Sequence, residues 1–305
     1  MKVAVIGEAI ADFLPRDQSA ALFDCALGGS GFNTTLALAR LGVPVGFAWT
    51  LSRDALGQRF RQALESEGVD LAHLAACDAP TPVAIVQPAG ASHGAMFALH
   101  LTGTAHEQPP SLAGLAASGA RHLHAASFAA TAGEAAGPTL ALLEAFKARG
   151  GSSYDPNIRA SCLPPRTGAV ALVERRVAAS VIAKASEEDL AWLYPGLAPH
   201  EALLRWLALG AAVAIVTRGA AGALAMTADA LAEVKAPQVA LADAVGAGDT
   251  FTAGFLAAMD DDGVLGVSGS APDEATLRRW LAFAVRAASL TCARPGCDPP
   301  RRAEL

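Results

Sequence analysis

The stretch Gly246-Ala247-Gly248-Asp249 sets two glycines and a carboxylate just ahead of an apolar run, Thr250–Met259. Glycines let the backbone turn tightly and bring its N–H groups close to a bound group. A helix starting here adds unpaired N–H donors and the positive end of its dipole, which together attract anions. Asp249 stands where an incoming phosphoryl group and an attacking hydroxyl could meet. The set suits phosphoryl transfer: the Gly246, Ala247 and Gly248 backbone holds the anion and stabilises developing charge, and Asp249 accepts the hydroxyl proton. The same dipole is expected to keep Asp249 ionised near neutral pH. The plainer reading is a carboxylate that only complements the dipole. Asp243 opens the same loop and either positions it or helps to organise cations.

Other polar clusters follow strand-like runs, where an α/β site lies. Asp155-Pro156-Asn157-Ile158-Arg159 is one, although Asp-Pro-Asn is also common turn chemistry. Arg159 has the charge to neutralise a transferred phosphoryl group. Lys184 precedes Ser186-Glu187-Glu188-Asp189, which reads equally as a solvated acidic helix start. Thr217 and Gly219 end a strand and read equally as an ordinary turn into the next element. His122 and His124 alternate on a strand-like run and share a face, but no third ligand stands at a recognisable spacing, so no metal site is expected.

The elements that must position these groups are legible in outline. Val3–Ile6 is a strand ending at Gly7. A helix over Asn33–Leu41, a strand over Val45–Thr50 and a helix over Asp54–Glu67 come next. Thr81–Val86 and Met96–Leu101 read as a hairpin broken at Gly90 and Gly94. Helices are expected over Gly137–Ala148, Glu187–Leu193, Glu201–Leu209, Thr250–Met259 and Thr276–Thr291. Strands are expected over Ser153–Asp155, Val181–Ala183 and Val213–Thr217, and a surface loop over Asp260–Asp273. The alternation implies a doubly wound, mostly parallel sheet with ligands at the strand ends.

Composition bounds the rest. The chain has 305 residues, 52% of them hydrophobic and 17% charged, which is ample for a large core. A net charge of −6 without a basic stripe argues against a nucleic-acid surface. It does not argue against a phosphorylated ligand, because backbone donors can hold an anion in an acidic protein. No apolar run is long enough for a membrane span, and the N-terminus reads as a strand, not a signal peptide. The five cysteines include no CxxC pair and fit thiols in a reducing cytosol. Cys292 and Cys297 are near enough in sequence to meet. The first strand leads to Gly7-Glu-Ala-Ile without GxGxxG, and no GxxxxGK[ST] occurs, so a dinucleotide dehydrogenase or a P-loop enzyme is disfavoured.

The GAGD segment resembles the signature of the ribokinase (PfkB-type) carbohydrate kinases. The run Gly28-Gly-Ser-Gly-Phe-Asn33, the start Gly7-Glu-Ala-Ile-Ala-Asp12, Asp155–Arg159, Lys184–Leu190, Val216–Gly222 and Arg286–Gly296 are similar in the same order. Bacterial fructokinases and 2-keto-3-deoxygluconate kinases are the nearest likenesses. The resemblance implies a single ribokinase-like domain over 1–305 with a small β lid at about 12–26 and 81–101. It implies a cytoplasmic ATP- and Mg²⁺-dependent kinase acting on a small sugar, with K⁺ activation and a homodimer through the lid as further family traits. Fructose is the leading acceptor; 2-keto-3-deoxygluconate, another sugar or a nucleoside is the alternative, and a silent sugar or nucleotide sensor is the rival from another class. Asp12, Gly28, Gly29 and Asn33 match sugar-contacting positions. Asn157 and Arg159 match positions near sugar or phosphate, and His100 falls in the lid. Lys184, Ser186, Thr217, Gly219, Gly222, Gly246 and Gly248 match the nucleotide side. No direct metal ligand is implied; Asp189 and Asp243 would act indirectly. Ala244 departs from the family's usual threonine, and His100 and Leu101 stand where related fructokinases and 2-keto-3-deoxygluconate kinases alike often have an aromatic residue and then an arginine that can serve a sugar acid's carboxylate, which leaves the exact sugar open. Leu101 therefore counts against a sugar acid.

Overall fold

The computed structural model describes residues 1–17, 20–87, 96–269 and 271–305. Its strands are β1 (Val3–Ile6), β2 (Ile10–Pro15), β3 (Phe23–Gly28), β4 (Val45–Phe47), β5 (Thr50–Ser52), β6 (Ala75–Cys77) and β7 (Val83–Gln87). They continue with β8 (Met96–His100), β9 (His122–Ala126), β10 (Ser152–Asp155), β11 (Ile182–Ser186), β12 (Val213–Thr217), β13 (Ala223–Met226) and β14 (Leu231–Val234). The helices are α1 (Ser30–Arg40), α2 (Ala55–Ser66), α3 (Ser127–Thr131), α4 (Ala136–Lys147) and α5 (Arg166–Ala178). After these come α6 (Glu187–Leu193), α7 (Pro199–Leu209), α8 (Ala247–Asp261) and α9 (Glu274–Cys292).

Eight strands form the main sheet in the order β14-β13-β12-β11-β10-β9-β1-β4. The six from β12 to β4 pair in parallel, and β13–β14 adds an antiparallel edge hairpin. Every residue of β1 is fully buried, as expected for a parallel strand covered on both faces. Helices α1, α8 and α9 pack together over the sheet, and α3 to α7 form a second group. Phe255 of α8 meets Trp280 of α9 edge to face with ring centroids 5.8 Å apart. The chain leaves β1 with β4 on one side and β9 on the other, so the winding reverses at β1. Such a reversal opens a crevice beyond the strands' C-terminal ends.

A second sheet runs β3-β2-β7-β8, with β2 antiparallel to β3 and parallel to β7. Residues expected in the lid fall here, while the expected turn at Gly90 and Gly94 lies outside the described residues. Among the described residues no helix is long and apolar enough to cross a membrane.

Several boundaries move. The helix expected from Asn33 begins at Ser30, which sets Ser30 and Asn33 one turn apart on a shared face. The helix expected from Thr250 begins at Ala247, so Asp249 lies inside its first turn. The single strand expected over Val45–Thr50 divides into β4 and β5, which join different sheets. Lys184 and Ser186 belong to β11 itself. The Asp260–Asp273 loop is pinned by buried Leu265. Helix α5 and the β13–β14 hairpin escape the pattern analysis, because α5 carries no clean apolar stripe and the hairpin strands are short and alanine-rich.

Arg176 ties the second helix group together. Its buried guanidinium donates to the carbonyls of Ala130 (2.6 Å), Ala136 (2.8 Å) and Leu172 (2.9 Å), so α5 holds the end of α3 and the start of α4. Arg176→Ala leaves these carbonyls unpaired and is expected to lower the unfolding free energy by about 2–4 kcal/mol. Urea denaturation checks this; a loss within error of zero would show that water replaces the guanidinium without cost.

Candidate active site

A cleft of about 640 Å³ opens where the winding reverses. The C-terminal ends of β1, β9, β10, β11 and β12 contribute Glu8, Ser127, Asp155, Lys184 and Thr217 to its wall, the second sheet adds Ile10, Asp12, Ala84 and Leu99, and the Asp243–Asp249 loop closes the side.

Asp249 sits at the cleft with 6% of its surface exposed. The Ser30 hydroxyl donates to its Oδ1 at 2.6 Å and the Asn33 amide donates to its Oδ2 at 2.9 Å. The first turns of α1 and α8 therefore meet through a carboxylate. Gly246 caps α8 in the left-handed region (φ 74°), and a Cβ there would stand 2.0 Å from the Cys297 sulfur. Glycine is thus demanded twice, by conformation and by space. The Ala247 amide donates to the Ala244 carbonyl at 3.3 Å and turns away from any anion. The Gly248 and Asp249 amides lie in the first helical turn, where no carbonyl one turn earlier receives them. Asp243 accepts from the Val245 amide (3.0 Å) and the Gly296 amide (3.1 Å), so it clamps the loop to the C-terminal turn. Cys292 and Cys297 are both free thiols.

A second polar cluster lines the same cleft. Lys184 is buried and donates to Asp155 Oδ2 at 2.7 Å, and more weakly to the Gly248 carbonyl at 3.4 Å. Asp155 Oδ1 accepts from the Asn157 amide at 3.1 Å, which holds Asn157 in a left-handed turn (φ 35°). Asp189 is buried rather than part of a solvated face. Its oxygens accept from the Ile158 amide (2.8 Å) and the Ser186 amide (3.0 Å), completing a capping box with Ser186. Arg159 lines the cleft half-buried beside this turn, and Ser186, Thr217 and Gly219 line it at the ends of β11 and β12.

Of the residues singled out in the sequence, Asp12, Gly29, Asn33, Asn157, Arg159, Lys184, Ser186, Thr217, Gly219, Gly246, Gly248 and Asp249 line the cleft, together with Asp189 and Asp243. Besides Ala247, three others do not line it. His100 is exposed, because strand alternation turns Leu99 to the cleft and His100 to the opposite face. Gly28 makes room for a carboxylate: a Cβ there would lie 2.1 Å from Asp12 Oδ2. Gly222 (φ 89°) stands off the cleft, where a Cβ would lie 2.0 Å from the Val234 carbonyl. His122 and His124 do share a face, and both bond to the Ser153 hydroxyl, at 2.8 and 2.9 Å. Burial pushes both down to about 3, so they stay neutral.

Glu8, Ser30, Ser127 and Asp155 went unrecognised as site residues. Glu8, Ser30 and Asp155 fell inside the runs singled out above without being given a role, and Ser127 had only its position directly after β9 as a signal. Glu8 is 2% exposed; Oε1 accepts from the Ser30 amide at 3.0 Å, and Oε2 is buried without a partner.

The carboxylates crowd one another in a poorly solvated place. Burial raises Glu8 from 4.5 to about 7, opposed by backbone donors and the Ser127 hydroxyl and reinforced by the Asp249 charge. Burial raises Asp12 to about 7 as well, with Arg159 opposing and Glu8 and Asp249 adding to the rise. Asp249 also moves upward: burial outweighs the Ser30 and Asn33 hydrogen bonds and the Lys184 charge. Lys184 suffers from burial, yet the Asp155 carboxylate lifts it above the usual lysine value. Among the described residues no group of three or more His, Cys, Asp or Glu side chains could hold a metal ion.

Residues 1–303 match the model of the pfkB family carbohydrate kinases. A fructokinase from Rhizobium leguminosarum bv. trifolii is 35% identical over 265 residues, 85% of this chain and 80% of its own length. An aminoimidazole riboside kinase from Salmonella typhimurium is 30% identical over 258 residues, 84% and 80% of the two chains. The crystal structure of a fructokinase with bound ATP from Xylella fastidiosa superposes with a TM-score of 0.82 at 25% identity, covering 97% of this chain and 94% of that one.

The Glu8 shift has a stability signature. An acid whose folded pKa is raised contributes stability in full below its unfolded value of 4.5 and loses it as pH rises through about 7. Glu8→Gln carries no charge at any pH. Its unfolding free energy should therefore gain on the parent by about 2–3 kcal/mol between pH 5 and pH 8. Equal pH slopes for both proteins in chemical denaturation would show that Glu8 ionises freely when folded.

Proposed function

The chain belongs to the pfkB family of carbohydrate kinases, and on that premise we propose that it transfers the γ-phosphoryl group of ATP to a primary hydroxyl of a neutral sugar, with fructose the leading acceptor. The observation that carries this reading is the set of groups that share the cleft. Asp12, Asn33 and Asp249 line it together with Lys184, Arg159 and the first turn of α8.

In this mechanism Asp12 and Asn33 orient the sugar. A carboxylate oxygen accepts more than one hydrogen bond, so Asp249 can keep Ser30 and Asn33 and still receive the substrate hydroxyl. As the hydroxyl oxygen attacks the γ-phosphorus, its proton passes to Asp249. The bond from that phosphorus to the bridging oxygen breaks, and its electron pair leaves with ADP. Burial raises the proton affinity of Asp249, the direction that favours a proton acceptor. Gly248 and Asp249 amides face the developing charge, each such donor being worth about 3–4 kcal/mol in related chemistry. Arg159 neutralises the equatorial oxygens, while Lys184, anchored on Asp155, retains a donor for a phosphate oxygen.

Magnesium supplies charge neutralisation when it arrives with the nucleotide. The side chains offer it no ready-made cage: Asp189 and Asp243 already accept two backbone amides each, and Asp155 holds Lys184 and the Asn157 amide. This fits an ion that keeps several waters and is borne mainly by phosphates, with exposed Glu188 at the cleft wall to receive one of those waters. K⁺ activation, a cytoplasmic setting and a single domain over 1–305 belong to the same proposal. The second sheet would act as the lid that excludes water, and its exposed Leu22, Phe23 and Ile85 would support a homodimer.

A neutral acceptor is favoured over 2-keto-3-deoxygluconate. Glu8, Asp12, Asp243 and Asp249 all line the cleft, and Leu101 offers no cation to an acid group, while Arg159 already faces the Asp12 charge. The 30% identity to an aminoimidazole riboside kinase supports a riboside as the second reading.

The test is ADP release from ATP·Mg²⁺ with fructose, 2-keto-3-deoxygluconate, ribose, aminoimidazole riboside or no acceptor, with and without K⁺. Fructose should give the highest kcat/KM. Asp249→Ala should lower kcat by about 10²–10⁴-fold, with ATP affinity nearly unchanged. An active Asp249→Ala variant would remove the base assignment; turnover with a sugar acid alone would overturn the neutral-acceptor reading.

A further inference from the structure

Helix α1 has no capping side chain of its own. Its N-cap is Gly29, and no first-turn residue is acidic. A carboxylate from the loop after β1 fills the role: Glu8 Oε1 accepts from the Ser30 amide at 3.0 Å, and the Glu8 carbonyl accepts from the Phe32 amide at 3.2 Å. Glu8 therefore holds the turn of α1 whose side chains, Ser30 and Asn33, grip Asp249. A neutral cap from serine or asparagine would satisfy the same amide without burying a charge. Here a buried carboxylate keeps one oxygen without a partner, directly at the cleft wall. Uncompensated burial of this kind lowers stability and is tolerated where the arrangement serves the site.

We propose that Glu8 is a positioning residue for phosphoryl transfer, acting on Asp249 through the Ser30 amide and hydroxyl. The inference rests on Asp249 being the base. Glu8 fixes the start of α1, the start of α1 fixes Ser30, and the Ser30 hydroxyl fixes which lone pair of Asp249 stays open to the sugar. Without Glu8 the carboxylate rotates or α1 frays, and the hydroxyl meets the base out of line. The effect belongs to kcat, because the contacts that bind ATP on β11 and β12 are untouched.

The experiment compares Glu8→Ala, Glu8→Gln, Ser30→Ala and the Glu8→Ala/Ser30→Ala double variant by steady-state kinetics, with thermal unfolding as the folding control and Asp249→Ala alongside. Glu8→Ala should lower kcat about 10- to 100-fold, with KM for ATP within about threefold of the parent, since small misplacements at a reacting centre cost on that order. Glu8→Gln keeps an acceptor for the Ser30 amide and should recover most of the lost kcat. The double variant should be little worse than Ser30→Ala, because both changes break one chain of contacts. If Glu8→Ala fails to fold, the Ser30→Ala and Glu8→Gln values still decide: full kcat in Ser30→Ala overturns the proposal. So does a folded Glu8→Ala with parental kcat, a loss confined to acceptor KM, or a Glu8→Gln as impaired as Glu8→Ala. An inactive Asp249→Ala beside a fully active Glu8→Ala rejects this inference alone, and an active Asp249→Ala rejects the base on which it rests.

Discussion

The structure turns on a carboxylate that two helices share. Asp249 belongs to the first turn of α8, and both of its oxygens are taken by donors from the first turn of α1. Two helix N-termini converge there, each bringing a positive dipole end. Without a negative charge between them they would repel each other, and without the close packing of α1 on α8 the carboxylate would sit in water with no fixed direction. The tight glycine turn at Gly246 and the Cys297 sulfur packed against it follow from bringing α8 to that point.

The second constraint is the spending of solvation. Glu8, Asp12 and Asp249 are drawn together where water is scarce, and all three have their proton affinities raised. The fold answers with hydrogen bonds from Ser30, Asn33 and backbone amides, and with the buried charge of Lys184, itself paired with Asp155. The compensation is incomplete at Glu8, whose second oxygen has no partner. A sheet built only for stability would hold apolar side chains at these positions.

Topology explains why these residues meet at all. The sheet reverses its winding at β1, and the loops after β1 and β9 part there. Glu8 and Ser127 follow those two strands, and the second sheet, entered through β2 two residues after Glu8, brings Asp12 and Leu99 to the cleft. Relatives named for different acceptors, a fructokinase and an aminoimidazole riboside kinase, are similar to this chain over most of its length.

Much of this was legible in the chain alone. Gly246, Gly248 and Asp249 announce a helix start built for an anion, and alternating apolar runs announce a parallel sheet, because glycine conformation, helix capping and side-chain periodicity are local properties. The ordered motifs told the family for the same reason. What local pattern could not tell was partnership. Ser30 and Asp249 are 219 positions apart, and Lys184 and Asp155 are 29 apart. Glu8 looked like an interruption of an apolar run until the fold set its carboxylate beneath α1. His100 looked like a site residue until strand register turned it outward and gave its place to Leu99. The sequence by itself determined the element types, the glycine turns and the chemical kinds of group available. Only the tertiary structure decided which donor meets which oxygen, which face of a strand is the inner one and how far burial moves each proton, because those depend on distances and solvent exclusion between segments that no spacing along the chain encodes.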